Sequence, residues 1–187
     1  MADFIEFCAR FSPLDPEAAT ELFHNLKTRT FPKGEYLLKD QEVCRYLFFI
    51  NEGLAKSFFY KNDKEFIMRF FGENVLFTPF DSYLGQTPSS FMIRALEKTT
   101  VTLISYERME SLCERYHCLE TFMRKLTGVA ATKMMKRISG MLEEDAMLRY
   151  NRFLEENGPL VQRINLGDIA RYLGITQPSL SRLRAAM

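Results

Sequence analysis

The sequence predicts an α+β fold: an antiparallel β-roll of jelly-roll type, then helices that end in a helix-turn-helix. Three observations carry this prediction. Short hydrophobic runs rich in Phe and Ile, broken by turn residues, fill the chain from Phe31 to about Tyr106. From about Glu107 the apolar residues recur at steps of three and four instead. Between Ala170 and Leu183 a demanding pattern of small, turn-forming and apolar residues closes the sequence.

Composition bounds what the chain can be. Its 187 residues suffice for one large domain or two small ones, and a hydrophobic content of 47% supplies a core. Charged residues make up 26%, which argues against long disorder. Because the net charge is only +1, any nucleic-acid surface has to be a local patch. The cysteines Cys8, Cys44, Cys113 and Cys118 are scattered without a CxxC pair, as reduced cytosolic thiols are. No metal or cofactor is expected. The start, MADFIEFCARF, lacks the basic-then-apolar order of a signal peptide. No apolar stretch approaches the ~20 residues of a membrane span. No membrane partner is therefore expected, and the expected compartment is the cytoplasm.

Residues 1 to about 27 read as short helices, with Leu14, Ala18, Leu22 and Leu26 in register and Asp15-Pro16-Glu17 as a helix start. The expected strands are Glu35–Leu38, Tyr46–Ile50, Leu54–Tyr60, Glu65–Phe71, Phe91–Leu96 and Thr99–Ile104. Pro32-Lys33-Gly34, Asn51-Glu52-Gly53, Lys61-Asn62-Asp63 and the stretch from Gly72 to Ser90 break them. A long helix follows, its stripe being Leu119, Phe122, Met123, Leu126, Val129, Ala130, Met134 and Ile138. The stripe packs against the roll of its own chain or forms a two-fold dimer seam, which the small residues Gly128, Ala130 and Ala131 favour. Gly140 marks a hinge, and a second helix over about Leu142–Glu156 stops at Asn157-Gly158-Pro159. The expected domains are thus 1–118, the roll with its flanking helices; 119–140, the dimerisation helix and hinge; and 141–187, the helix-turn-helix domain.

In the last segment Ala170 is small where a second helix crosses. Gly174 supplies the turn, and Ile175 fills the core beneath it. Thr176 caps the next helix, Pro178 falls in its first turn, and Leu180 and Leu183 point inward. Gln177, Ser179, Ser181, Arg182 and Arg184 remain outward, able to read base edges and hold phosphates. From Asn157 onward Arg163, Arg171, Arg182 and Arg184 face only Asp168, a basic tail hidden in a near-neutral chain. Thr176, Gln177, Ser179, Ser181, Arg182, Arg184 and Arg171 are the expected contacts to double-stranded DNA.

A roll, a long helix and a helix-turn-helix in this order resemble the Crp/Fnr family of regulators. The local carriers are Phe31-Pro32-Lys33-Gly34-Glu35, Asn51-Glu52-Gly53-Leu54-Ala55-Lys56, Gly72-Glu73 and Leu173-Gly174-Ile175-Thr176 with Leu180-Ser181-Arg182. The last is similar to a subgroup common in Bacteroidetes. The resemblance implies an effector in the roll, a homodimer through the long helix, and a recognition helix in the major groove. It also implies an effector site at Gly72, Glu73, Ser89, Ser90 and Arg94. Members that bind cyclic nucleotides carry Arg-Ser where Ser89-Ser90 stands here, so the phosphate-pairing arginine is missing and weak or no binding of cyclic AMP is expected. Arg94 substitutes only if it faces the pocket. The family's wing hairpin is absent from a sequence that ends at Met187.

Two other readings remain. A metal-dependent enzyme in a jelly roll needs about three clustered histidines, whereas His24 and His117 both lie outside the roll; no enzyme is expected. A ligand-binding signalling module with a degenerate effector site and no DNA binding is the alternative.

Overall fold

A computed structural model of the chain describes residues 1–185. Two helices, α1 (Ala2–Phe11) and α2 (Pro16–Asn25), precede eight strands. These are β1 (Lys27–Phe31), β2 (Tyr36–Leu38), β3 (Tyr46–Glu52), β4 (Ala55–Lys61), β5 (Lys64–Phe71), β6 (Leu76–Phe77), β7 (Met92–Ala95) and β8 (Thr99–Ser105). A short helix, α3 (Phe80–Gly85), interrupts them between β6 and β7. The strands form two antiparallel sheets in the orders β1-β8-β3-β6 and β2-β7-β4-β5. Then come α4 (Tyr106–Arg115), α5 (His117–Glu143), α6 (Ala146–Asn157), a 3-10 turn over Gly158–Arg163, α7 (Leu166–Leu173) and α8 (Gln177–Ala185).

Four layers result. Between the sheets Phe31, Phe48, Ile50, Phe71, Phe77 and Ile93 form the roll core. Rings fill this space: Phe71 and Phe77 stack at 3.9 Å between centroids, and Phe48 lies on Phe77 at 5.6 Å. The outer face of the first sheet, through Leu47, Phe49 and Ile104, packs on α1, α2, α4 and the start of α5. The outer face of the second, through Phe58, Ile67 and Phe70, packs on α6, α7 and α8. A strand covered on both faces loses its polar alternation. This explains the unbroken buried run Leu47-Phe48-Phe49-Ile50 in β3.

Several sequence expectations need correction. Gly140 is not a hinge: it lies inside α5, and a Cβ there would meet the Arg152 guanidinium at 2.9 Å. The helix runs on to Glu143, and the break falls at Glu144–Asp145, where the Asp145 side chain caps α6 by accepting from Leu148 N–H at 2.8 Å. The second helix accordingly starts at Ala146, not Leu142. β1, β6 and α3 were not expected. β1 reads Lys-Thr-Arg-Thr-Phe, a polar edge strand with only Phe31 buried, so it carries no hydrophobic signal.

The long stripe also divides. Leu119, Phe122, Met123 and Leu126 are buried against the roll. Val129, Met134 and Ile138 are exposed, so the second half of the stripe faces away from that core.

Candidate nucleic-acid interface and its attachment to the roll

The turn between α7 and α8 is built as the spacing implies. Gly174 takes φ +70, a left-handed conformation that costs a residue with Cβ about 1 kcal/mol or more. Ile175 N–H then donates to Ala170 C=O at 3.0 Å, which closes α7. Ala170 is buried where α8 crosses, and Leu180 has no exposed surface. Thr176 Oγ1 accepts from Ser179 N–H at 3.3 Å and lies 2.9 Å from Ser179 Oγ. Both hydroxyls are thereby engaged in the cap.

Gln177, Ser181, Arg182 and Arg184 are exposed along α8. Among the described residues Arg182 and Arg184 form no ion pair, and no acidic residue follows Asp168. Arg171 is exposed too, but its Nη1 donates to Asp168 Oδ1 at 2.9 Å. Four of the seven expected DNA contacts are thus exposed on α8; Thr176 and Ser179 build its start, and Arg171 sits on the preceding helix.

Below this helix pair lies a cluster of charges that the sequence did not disclose. Lys56 on β4 is 1% exposed, yet its ammonium donates to Glu65 Oε1 at 2.6 Å and to Asp168 Oδ1 at 2.9 Å. Asp168 is itself buried, and Asn165, the α7 cap, both accepts from its N–H at 2.8 Å and donates to its Oδ2 at 2.9 Å. One buried ion set therefore joins the roll to the N-terminus of α7, where the carboxylate also suits the helix dipole. Removing one member of such a set leaves an unpaired buried charge. The one signal for it in the sequence was Asp168 itself, the sole acid of a basic tail.

A second ionic attachment lies at the rim. Arg163 donates to Glu73 through Nη1 at 2.9 Å and Nη2 at 2.7 Å, and also pairs with Glu97. The Arg163 hydrogen bonds hold the Glu73 carboxyl down at about 2, helped by Gly53 N–H, which donates to it at 3.0 Å. Gly53 has to be glycine: at φ +106 an added Cβ would stand 2.6 Å from Lys98 C=O.

The five residues expected at the effector site are not brought together. Glu73 is turned outward to Arg163. Ser89 is fully buried, and its hydroxyl both donates to Phe91 C=O and accepts from Phe91 N–H at 3.0 Å. Ser90 is exposed on the same loop. Arg94 lies on the outer face of the second sheet, 3.6 Å from Glu65 and 5.1 Å from the Phe58 ring centroid, and so not within the roll. Gly72 alone borders the crevice between the roll, α5 and the helix-turn-helix, a space of about 920 Å³. That crevice also holds Arg69 of β5 and Lys133 and Arg137 of α5, none of which the sequence reading singled out. Arg137 spans three parts of the molecule, donating from α5 to Ile67 C=O at 3.3 Å and to Tyr172 C=O at 2.7 Å. Its guanidinium also stacks 3.7 Å above the Tyr172 ring.

This architecture has known counterparts. Residues 28–116 match the family described as Cyclic nucleotide-binding domain, which defines the class of the roll. Over its wider length the chain has the fold of the Crp/Fnr-type proteins. It is similar to FixK2 from Bradyrhizobium japonicum at 18% identity, covering 86% of this chain and 83% of that one, with a TM-score of 0.77. A transcriptional regulator of the crp/fnr family from Eubacterium rectale aligns at 16% identity, 91% and 82% coverage and a TM-score of 0.73. The c-di-GMP responsive global regulator CLP of Xanthomonas campestris aligns at 16%, 92% and 91% coverage and 0.68. Among curated protein sequences none matches.

Proposed function

We propose that the chain is a homodimeric DNA-binding transcription regulator of the Crp/Fnr type, controlled by an effector other than cyclic AMP. One observation carries the proposal: α8 exposes Gln177, Ser181, Arg182 and Arg184 to solvent, free of carboxylates among the described residues, on a helix set by the Gly174 turn. Such a helix enters the major groove with its N-terminal residues nearest the bases. Gln177 reaches adenine or guanine edges, Arg182 makes a bidentate contact to guanine, and Arg184 holds phosphate. No catalytic step is proposed.

The second half of α5 supports the dimer. Gly128, Ala131, Met135, Ile138 and Leu142 are spaced by alternating steps of three and four and are all exposed, Met135 at 70% and Leu142 at 81%. This is the heptad spacing of a helix–helix seam. A Cβ at Gly128 would meet nothing within 4 Å, so its small size answers no need inside the chain. Two such protomers imply a palindromic site with half-sites about 34–36 Å apart.

The test is selection from random duplexes, followed by binding at several salt concentrations. The expected result is a palindrome, with Arg182→Ala costing about 1–3 kcal/mol and relaxing one position per half-site. A non-palindromic selection, or an Arg182→Ala protein with unchanged affinity and preference, refutes the docking. Light scattering should show Met135→Glu with Ile138→Glu as a monomer. Titration calorimetry should show no micromolar binding of cyclic AMP.

A further inference from the structure

Gly167, in the first turn of α7, is a meeting point. A Cβ there would lie 3.2 Å from Asn165 Oδ1, 3.5 Å from Gln177 Oε1 and 3.6 Å from Arg171 Nη1. The first residue of α8, the exposed Arg171 and the cap of α7 thus share one corner. That corner is fastened to the roll, because one ammonium, that of Lys56, holds both Asp168 and Glu65. Glu65 faces Tyr60 across the β4–β5 hairpin, and Lys61 with Lys64 is the next pair and the last before the turn. The hairpin tip therefore stands one residue pair beyond the ion set that holds α7.

The tip has a defined shape and a positive balance. Asn62 and Asp63 take φ +51 and +58, the left-handed pair of a two-residue turn whose twist matches the strands it joins. Lys61, Asn62, Asp63 and Lys64 are all exposed, and neither lysine has an ion-pair partner among the described residues. The neighbouring carboxylates of Glu65 and Asp168 are enclosed and already paired, with Lys56, Arg94 and Arg171. Facing solvent here are the cations Lys61, Lys64 and Arg171, against the single carboxylate of Asp63 on the tip.

We infer that the β4–β5 hairpin is a second DNA contact, made by the roll itself, in which Lys61 and Lys64 take backbone phosphates beside those met by Arg171. The inference rests on the DNA-binding reading above and extends its interface beyond the helix-turn-helix. With the start of α8 in a major groove about 12 Å wide, phosphate strands border it on both sides. Duplex DNA carries a negative charge about every 1.7 Å of its axis, so two exposed lysines beside that start meet a dense row of counter-charges. Phosphate contacts fix register and orientation and carry no sequence information of their own. The hairpin therefore adds affinity and salt dependence and leaves the selected sequence unchanged.

The test measures binding of the full chain to its selected duplex across a salt series. Lys61→Gln with Lys64→Gln should weaken binding about 10-fold or more at about 50 mM salt. The slope of log affinity against log salt should flatten by about 3–4, for two phosphates in each of two protomers. Both side chains are exposed, so the variant keeps the fold. Selection from random duplexes should return the same site. Asp63→Asn keeps a residue that tolerates the left-handed turn and removes the opposing charge, so it should tighten binding about 2-fold or more at low salt. Lys27→Gln with Arg108→Gln removes two exposed cations on the first-sheet side and should leave the slope unchanged. A slope change below about 1 for the hairpin variant, an equal change for the first-sheet variant, or an altered selected site overturns the inference while the DNA-binding reading stands. Failure to select any site overturns both.

Discussion

The two outer faces of the roll are both covered by helices, but by different chemistry. On the first sheet Leu47, Phe49 and Ile104 meet Phe4, Leu22, Leu119 and Phe122, and the ion pairs Arg115 with Glu21 and Arg10 with Glu6 stay at the rim. On the second sheet Phe58, Ile67 and Phe70 also meet apolar partners, but Lys56, Glu65 and Asp168 are enclosed with them. Apolar burial is non-directional and strengthens with area. A buried ion set returns little net stability, because desolvation offsets the attraction, yet it fails abruptly when one member is lost. The first face is therefore joined by apolar packing. The second adds buried charges to its apolar contacts, and it carries the helices that would meet DNA.

The largest effect should come from that buried ion set. Lys56→Ala should cost about 3–5 kcal/mol in denaturant unfolding, because Asp168 and Glu65 lose the fully buried cation they share and keep only the more exposed Arg171 and Arg94. Amide exchange should quicken across Leu166–Leu173 and stay slow across Leu119–Leu126; equal loosening of both would break the comparison. Leu119→Ala, on the other face, should cost about 2–4 kcal/mol from lost packing. Its penalty should not change with salt, and exchange in α7 should not respond. A smaller effect is expected for Gly174→Ala, about 1–2 kcal/mol, because φ +70 strains any residue with Cβ and Met141 Cε lies 3.3 Å from the new methyl. That loss should appear in α7 and α8 alone.

The smallest effect is the most specific in pH. Glu73 has a folded pKa of about 2 against an ordinary 4.5, so its stabilisation is present above pH 4.5 and is lost as pH falls toward 2. Glu73→Gln should lower the thermal midpoint by an amount worth less than about 1 kcal/mol, given the exposure of the pair. The difference from the unchanged protein should be constant above about pH 5.5 and shrink steadily below 4.5. A difference that grows in acid would contradict the assignment.

The sequence made the helix-turn-helix legible in detail because each of its features is local: Ala170, Gly174, Thr176 and Leu180 lie within a few turns of each other. Strands β3, β4 and β5 were legible because hydrophobic runs end at strong turns such as Asn62-Asp63. Lys56–Asp168 was not, since its partners are 112 residues apart and a lysine in a strand reads as surface. The outward turn of Glu73 was hidden for the same reason, its partner Arg163 lying 90 residues downstream. Periodicity found the long helix but merged its two faces, because an apolar residue buried on the roll and one exposed for a second helix look alike in a sequence.

The stacked rings of Phe48, Phe71 and Phe77 also make the roll a vessel that carries its own filling. Deleting the Phe77 side chain would leave a ring-sized hollow walled by aromatic and aliphatic groups. Engineered apolar hollows of this kind stay dry and admit benzene-sized guests. The stability recovered on adding such a guest would measure how much of the roll's cohesion is supplied by side chains standing where a ligand could stand.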